Sequence, residues 1–312
     1  MKKLFKRLLY LILFLFILLN VVVIFHAYKF THFYEPGEAA IKKQEQKSKW
    51  DISKEILFGQ NFAKQQNLKA DSSFNTFYLT TKSGIKLEGW YFPVQNAKGT
   101  IAMFHGHGGS KTGMMEASRE FNDLGYNTAL IDFRAHGGSG GNTCTIGWDE
   151  AEDVKLAYDF VIQKGETNIA LWGSSLGAAT ILKSVHDHQL KPSKLILEMP
   201  FGSLKAAVSG RIKMMKLPAE PVSTLLTFWG GTIHGFWAFD LKPAVYAKDI
   251  KCPVLLQRGK NDTRVTQNET DEIFKNISSQ KEMILYDNCG HEMLCKKEKE
   301  KWRSTVSKFL AN

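Results

Sequence analysis

The sequence predicts an α/β fold in which helices cover both faces of a mostly parallel central sheet. Short apolar runs alternate with longer helical patterns over most of the chain, and each run ends in a glycine-rich or polar turn. Strands of a parallel sheet are buried on both faces, so they read as continuous apolar runs, and helices connect them. We therefore expect ligands to bind beyond the carboxyl ends of the strands.

The N-terminal segment is the clearest feature outside this predicted sheet. No Asp, Glu, Lys or Arg occurs from Leu8 to Tyr28, which in a helix is about 31 Å of apolar length, close to the thickness of a hydrocarbon core. We predict a transmembrane signal-anchor over residues 1–30. A cleaved signal peptide is the alternative, but the apolar stretch is longer than a usual signal-peptide core and no good cleavage site follows.

Charge placement predicts the orientation of this anchor. Residues 1–50 carry nine Lys and Arg against three Asp and Glu, and residues 51–312 carry 32 against 28, so most of the net charge of +10 lies beside the apolar segment. Four basic residues precede the span and only Lys29 closely follows it. The positive-inside rule places the N-terminus in the cytoplasm and the bulk of the chain outside the cell membrane. This distribution indicates a membrane surface as partner, and no nucleic acid.

The rest of the chain divides into a linker and a globular domain. Residues 31–71 are polar and charged, and we interpret them as a juxtamembrane linker with one helix. Regular patterning predicts a domain over residues 72–312. It begins with two alternating segments, 74–81 and 85–94, that predict an antiparallel hairpin. Further strands are predicted at 100–105, 127–132, 168–173, 194–199, 253–258 and 282–287, and helices near 112–124, 149–164, 176–188, 266–278 and 296–311.

One insertion, residues 202–247, interrupts this alternation. It is mainly helical in pattern and rich in Met, Phe and Trp. Ordinary helix packing is the simpler explanation of any one of these residues. As a group, however, they predict a short helical cap over the sheet edge that holds an acyl chain. The candidate substrate-binding residues are Phe201, Met214, Trp229 and Trp237.

The stretch Gly173-Ser174-Ser175-Leu176-Gly177 lies between a predicted buried strand and a predicted helix. A G-x-S-x-G pattern at such a turn indicates a nucleophile elbow, in which a strained turn exposes the central serine hydroxyl. The glycine register makes Ser175 central, because centring on Ser174 would require glycines where Trp172 and Leu176 stand. We predict that Ser175 is a nucleophile.

A serine hydroxyl requires a general base. When the serine lies at a nucleophile elbow, the acid and then the histidine follow it along the chain. His291 lies after the last predicted strand and Asp262 after the one before it. Both are therefore expected at the catalytic edge, with His291 as base and Asp262 holding its imidazole. Glu198, at the end of another strand, is the reserve acid.

An oxyanion hole needs two backbone N–H groups aimed at the developing negative charge. We expect one from Leu176 and the other from His107 or Gly108, in the turn after residues 100–105. His105 and His107 also form an H-x-H pair, but no further ligands have metal spacing. No metal and no cofactor is predicted. Cys289 and Cys295 either form a disulfide or remain buried thiols, and the sequence leaves both open.

Five motifs follow strands in the same order as in a known superfamily: FHGHGGS, DFRAHGGSGG, GSSLG, GKND and GHE. The chain resembles the α/β-hydrolase superfamily over roughly residues 72–312, and within it the lysophospholipase-like and serine-aminopeptidase-like serine hydrolases. The resemblance implies an α/β-hydrolase fold and cleavage of carboxylic esters, including lipid-derived acyl esters, through an acyl-enzyme. A peptidase or amidase with the same triad is the alternative, followed by a non-catalytic, membrane-anchored binding protein.

Overall fold

A central sheet of eight strands crosses the part of the chain that the computed structural model describes, which is residues 2–39, 41–42, 46–68 and 73–312. A separate pair of two-residue strands lies near the N-terminal helix. In chain order the strands are β1 Phe33–Tyr34, β2 Phe62–Ala63, β3 Asn75–Thr80, β4 Lys86–Phe92, β5 Thr100–Phe104, β6 Asn127–Ile131, β7 Ile169–Ser174, β8 Lys194–Glu198, β9 Val254–Gly259 and β10 Lys281–Tyr286.

Helices connect these strands and cover the sheet. In chain order they are α1 Lys2–Thr31, α2 Lys49–Phe58, α3 Met115–Asp123, α4 Glu150–Gln163, α5 Leu176–His188, α6 Leu204–Met214, α7 Val222–His234, α8 Pro243–Tyr246, α9 Gln267–Asn276, α10 Leu294–Lys297 and α11 Lys299–Ala311. Residues of α4, α5 and α9 enter one hydrophobic core cluster, and residues of α3 and α11 enter the other. The predicted layer of helices on both faces is confirmed.

The strand order in the main sheet is β10-β9-β8-β7-β5-β6-β4-β3. Pairs from β10 to β6 are parallel, whereas β4 runs antiparallel to both β3 and β6. The hairpin predicted at the start of the domain is therefore β3–β4. β5 and β7 lie at the centre, and every residue of both strands is buried. The carboxyl ends of β5, β7, β9 and β10 consequently open at one edge of the sheet.

The cap-like insertion forms α6, α7 and α8 between β8 and β9. Helix α7 packs along the C-terminal part of α1. There Val23, Ala27 and Thr31 are buried, and Trp229 Nε1 donates a hydrogen bond to Asn20 Oδ1 at 2.9 Å. The large side chains from Leu4 to Leu18 are exposed. Within the described ranges α1 is the one helix long and apolar enough to cross a membrane, judged by length and composition.

The segment after α1 is bonded to the sheet domain. β1 pairs in parallel with β2, and the Phe33 N–H donates to the Asn142 carbonyl at 2.8 Å. The Cys144 N–H donates to the carbonyl of Thr31, also at 2.8 Å. α2 is the helix within the predicted linker of residues 31–71, and the predicted boundary between residues 71 and 72 lies outside the described residues. The described part of this segment therefore contacts the domain directly.

All four cysteines, at positions 144, 252, 289 and 295, are free thiols. Cys289 and Cys295 are both fully buried in the core cluster beneath α3 and α11. The sequence left open whether Cys289 and Cys295 form a disulfide or remain buried thiols, and in the structure they are buried thiols.

Candidate active site

Ser175 lies at the sharp turn between β7 and α5. Its backbone has φ +54° and ψ −113°, a region that a residue with a side chain rarely adopts and that stores strain. Two glycines permit the turn: a Cβ on Gly177 would lie 2.2 Å from the Phe104 carbonyl oxygen, and one on Gly173 would lie 2.6 Å from the backbone carbon of Gly177. Ser174 is the last residue of β7 and is buried. The local geometry is that of a nucleophile elbow centred on Ser175.

Three side chains from three different loops form a hydrogen-bonded series. His291 Nε2 lies 2.9 Å from Ser175 Oγ, and His291 Nδ1 lies 2.7 Å from Asp262 Oδ2. Asp262 follows β9 and His291 follows β10, the neighbouring parallel strand. The loops approach closely because Gly259 has no side chain; a Cβ there would lie 2.2 Å from the Gly290 carbonyl oxygen.

The second carboxylate oxygen of Asp262 is also bonded. Oδ1 accepts from the Arg264 N–H at 2.8 Å and from the Val265 N–H at 3.0 Å. Burial alone would raise the pKa of Asp262, but the hydrogen bond and charge of His291, with the two N–H donors, hold that pKa below its usual value. The carboxylate is therefore ionised at neutral pH and fixes the His291 ring in one orientation.

Glu198, the reserve acid, is bonded elsewhere. Its Oε1 accepts from Trp172 Nε1 at 2.9 Å and from Trp302 Nε1 at 2.7 Å, beneath the sheet. Burial raises the pKa of Glu198 to about 7, although the two indole donors oppose the shift. The Glu198 backbone carbonyl accepts from the Ser175 N–H at 2.7 Å, but its carboxylate takes no part in the hydrogen-bonded series, because His291 bonds to Asp262.

The backbone N–H groups predicted to form the oxyanion hole differ in whether they already donate a hydrogen bond. Leu176 is the first residue of α5, so its N–H has no partner within the helix. Neither the Leu176 nor the His107 N–H donates to any described residue. The Gly108 N–H, in contrast, donates to His136 Nε2 at 3.1 Å. Two residues were predicted for the second oxyanion donor, and the prediction of Gly108 is wrong, because its N–H is already bonded to His136. The His107 N–H is free to donate.

Comparison with known proteins gives two results on the fold. A family model described as serine aminopeptidase, S33, matches residues 95–235. The esterase Pf2001 from Pyrococcus furiosus is 23% identical, with a TM-score of 0.67 over 80% of this chain and 96% of that one. The chain has the α/β-hydrolase fold. It is an α/β-hydrolase-type hydrolase.

Two further proteins are similar to this hydrolase. A membrane phospholipase A described as a bacterial virulence factor is 16% identical, with a TM-score of 0.57 over 77% of this chain and 86% of that one. The uncharacterized protein YqkD from Bacillus subtilis is 26% identical over 242 residues, which cover 76% of this chain and 79% of that protein. At these identities the solved structures bear on the fold alone.

A buried ion pair stabilises the turn after β6 in the hydrolase. Arg134 Nη2 lies 2.6 Å from Asp153 Oδ1, and the Arg134 N–H donates to Asp153 Oδ2 at 2.9 Å. Arg134 therefore has a structural role in this turn. His105 and His136 are buried beside this turn, and each ring bonds to backbone groups. Among the described residues no group of three or more His, Cys, Asp or Glu could hold a metal ion.

A small cavity of about 70 Å³ contains Ser175 and His291. Of the four candidate substrate-binding residues, only Phe201 lines it. Trp229 faces α1, as its hydrogen bond to Asn20 shows. Met214 and Trp237 are 45% and 54% exposed. These three were predicted from composition, and composition does not reveal which face of α6 or α7 turns toward the sheet edge.

The cavity is also lined by residues that the sequence did not suggest, among them Phe30, Arg211 and Arg264. Phe30 belongs to the last turn of α1, within the predicted anchor. The signal that could have identified Arg211 was the presence of a charged residue in an apolar, mainly helical insertion. Arg264 lies two residues after Asp262, and that proximity was the signal for it.

Proposed function

We propose that this hydrolase is a membrane-anchored serine esterase in which Ser175 attacks the carbonyl carbon of a carboxylic ester. The observation that carries the proposal is the hydrogen-bonded series from Ser175 Oγ through His291 to Asp262. His291 Nε2 takes the hydroxyl proton as the Oγ–carbon bond forms. Asp262 holds the imidazole and stabilises its cationic form without taking the proton.

The tetrahedral intermediate carries a negative charge on the former carbonyl oxygen. The Leu176 and His107 N–H groups are the donors for that oxygen, because both are unused and both belong to residues that line the Ser175 cavity. When the intermediate collapses, His291 returns its proton to the departing alkoxide, which leaves Ser175 acylated. Water, activated by the same imidazole, then attacks the acyl-enzyme and releases the acid.

The charges beside Ser175 favour esters over substrates with a free amino terminus. Arg211 and Arg264 line the cavity, and no Asp or Glu is among its described lining residues. A substrate ammonium group would be repelled by the two guanidinium groups and would find no carboxylate to bind. This argues for an esterase over an aminopeptidase with the same nucleophile.

The anchor is the other part of the proposal. Helix α1 exposes apolar side chains over its first half, and basic residues precede its apolar stretch. The positive-inside rule then favours a cytoplasmic N-terminus and a catalytic domain outside the cytoplasm. Lipid-derived acyl esters are the substrates that such a position makes available.

A fluorophosphonate probe tests the nucleophile. We expect the full chain in detergent to be labelled and the Ser175→Ala variant to be unlabelled, with Ser174→Ala as the matched control that keeps labelling. A panel of p-nitrophenyl esters and aminoacyl p-nitroanilides then separates esterase from peptidase. Labelling that persists in Ser175→Ala, or faster turnover of the anilides, would overturn the proposal.

A further inference from the structure

A second and larger cavity, which we call the helix cavity, adjoins the cavity at Ser175. It has a volume of about 400 Å³, within the range of small-molecule binding sites. Its walls come from α1, α2, α6 and α7, and most side chains in them are apolar. Glu55 is the one acidic residue among the described lining, and Lys47 pairs with it at 2.8 Å. The cavity therefore suits an apolar ligand.

The two cavities share one wall. Five residues line both: Phe30, Ile146, Leu204, Val208 and Arg211. An acyl group attached to Ser175 consequently has the helix cavity as the nearest large apolar space. A chain that extended into solvent instead would leave its methylene groups in water, at about 0.8 kcal/mol each.

The outer faces of the helices around this cavity are apolar as well. Large exposed hydrophobic side chains that do not line the cavity occur on α2, at the end of α6 and on α7 or just after it; they are Leu57, Phe58, Met214, Phe228, Ile233 and Trp237. Exposed apolar side chains on helices that pack together are typical of a surface that contacts a protein or a membrane. Here it adjoins α1, so a lipid surface is the occupant it fits.

We propose that the helix cavity holds the acyl chain of a long-chain ester, with the last turns of α1 as one of its walls. The inference rests on the proposed esterase function and names its substrate class. The ester carbonyl lies at Ser175, the acyl chain passes Val208 and Leu204, and its end lies between α1, α2 and α7. The membrane-anchoring helix is thus part of the substrate-binding site.

Gly230 on α7 provides a direct test. It lines the helix cavity, and a Cβ added there would have no atom within 4 Å. Gly230→Leu therefore fills cavity space without a backbone clash. Gly113 is equally free of neighbours and lines neither cavity, so Gly113→Leu is the matched control.

The readout is the ratio of kcat/KM for p-nitrophenyl palmitate to that for p-nitrophenyl butyrate, measured on the full chain in detergent. We expect Gly230→Leu to lower this ratio by about tenfold or more, the usual effect of a few misplaced methylenes, and Gly113→Leu to leave it unchanged. Gly230→Ala gives a smaller decrease and keeps the test decisive if the leucine variant does not fold. An unchanged ratio, with fluorophosphonate labelling intact, would overturn the acyl-chain assignment and leave the esterase proposal standing.

A different observation concerns the charge next to Ser175. Neither the Arg211 nor the Arg264 guanidinium has an ion pair or hydrogen bond to any residue that the structure describes. Arg211 lies over the Phe30 ring at 4.4 Å. Burial, and repulsion from Arg264, lower the pKa of Arg211 to about 10. Two such cations side by side are costly unless an anion binds between them.

We infer that Arg211 and Arg264 bind an anionic group carried by the substrate, of the phosphate or carboxylate class. Guanidinium groups bind both through paired N–H donors. The ester and the anion would then lie in the same small cavity, so the anion is joined to the alcohol side of the ester by a few bonds. The substrate class narrows to single-chain acyl esters with a nearby negative charge.

The test compares two lipids that differ only in the phosphate: 1-oleoyl-glycerol 3-phosphate and 1-oleoyl-glycerol. We expect a kcat/KM ratio of about ten or more in favour of the phosphate, and a fall in that ratio of about tenfold in Arg211→Gln and in Arg264→Gln. Arg119→Gln, on the exposed face of α3, is the control that keeps the ratio. Equal turnover of both lipids, or inhibition by inorganic phosphate without a preference between them, would overturn a substrate-borne anion.

Discussion

The His107 imidazole lies flat against the Phe30 ring, with 4.4 Å between ring centroids and an angle of 11° between planes. The same imidazole donates from Nε2 to the Phe30 carbonyl at 3.2 Å. Burial, reinforced by repulsion from Arg211, holds the pKa of His107 well below its usual value, so the ring is neutral. These contacts join the last turn of α1 to the residue whose N–H we propose as an oxyanion donor.

Phe30→Leu should therefore impair the chemical step as well as the cavity wall. We expect kcat for the short ester p-nitrophenyl butyrate to fall about tenfold, less than the 10²–10³ of a donor removed outright. Phe25→Leu, which alters a contact with Phe58 on the outer side of α1, is the control. A rise in KM with unchanged kcat would mean that Phe30 acts only as a wall.

Asp262 and Glu198 make a matched pair of carboxylates for testing the acid. Asp262→Asn should lower kcat by about 10⁴, because the amide favours the wrong imidazole tautomer. Glu198→Gln should keep most of the activity, since Glu198 bonds to two indoles and not to His291. Steady-state ester hydrolysis measures both, and comparable losses in the two variants would contradict the assignment of Asp262.

Glu198 should also make the stability of the protein depend on pH. Its folded-state pKa is raised from 4.5 to about 7, chiefly by burial. A raised pKa means that the folded state binds the proton more tightly than the unfolded state. The protonated carboxyl group therefore adds to the free energy of unfolding in full below about pH 4.5, and this contribution is lost as pH rises through 7. Relative to Glu198→Gln, the free energy of unfolding of the wild type should fall by up to about 3 kcal/mol between those two pH values.

Thermal midpoints of both proteins in detergent, measured from pH 4.5 to 8, give the comparison. Glu272→Gln, an exposed carboxylate on α9, is the control and should follow the wild type. Parallel curves for wild type and Glu198→Gln would show that the carboxyl group is not protonated in the folded protein.

The strained turn at Ser175 depends on Gly177. Gly177→Ala places a Cβ 2.2 Å from the Phe104 carbonyl oxygen, a backbone atom that cannot move freely. We expect a loss of about 1–3 kcal/mol in unfolding free energy, together with loss of fluorophosphonate labelling. Gly113→Ala has open space at its Cβ and should retain both properties. Normal labelling of Gly177→Ala would mean that the turn tolerates a wider geometry.

Lys111 is fully buried between two carboxylates, Glu88 at 2.7 Å and Asp132. Lys111→Ala leaves the buried Asp132 without its cation, and breaking such a pair costs about 3–5 kcal/mol. Lys260→Ala removes an exposed partner of Asp287 and should change stability by less than about 1 kcal/mol. Denaturant midpoints distinguish the two, and similar values would contradict the buried-pair argument.

The sequence was informative where local pattern decides structure. Apolar runs followed by turns predicted the parallel strands and the hairpin β3–β4, and glycine spacing predicted the turn at Ser175, because both depend on neighbouring residues. The roles of Ser175, Asp262 and His291 stay predictions until activity is measured. Their positions follow from strand ends that meet at one sheet edge.

Other features depend on contacts between distant parts of the chain. Phe30 reaches the Ser175 cavity only because α1 packs on α7, and apolar composition cannot distinguish a lipid-facing position from a cavity wall. For the same reason Trp229 was assigned to substrate and instead bonds to Asn20. The Gly108 donor is taken by His136, which is 28 residues away in sequence, so no local motif could reveal it.

The hydrogen bonds that join the end of α1 to the domain, from the Cys144 N–H to Thr31 and from the Phe33 N–H to Asn142, have a consequence for how the enzyme meets its substrates. A domain joined to its anchor by a flexible linker would adopt many orientations above a bilayer and would encounter substrate molecules dissolved in the surrounding water. In the membrane-anchored esterase that we propose, a domain bonded to its helix would keep one height and one tilt, and its cavity entrance would stay level with the lipid. Encounter with a proposed lipid ester would then be a two-dimensional process, in which turnover depends on how many ester molecules occupy each unit of membrane area.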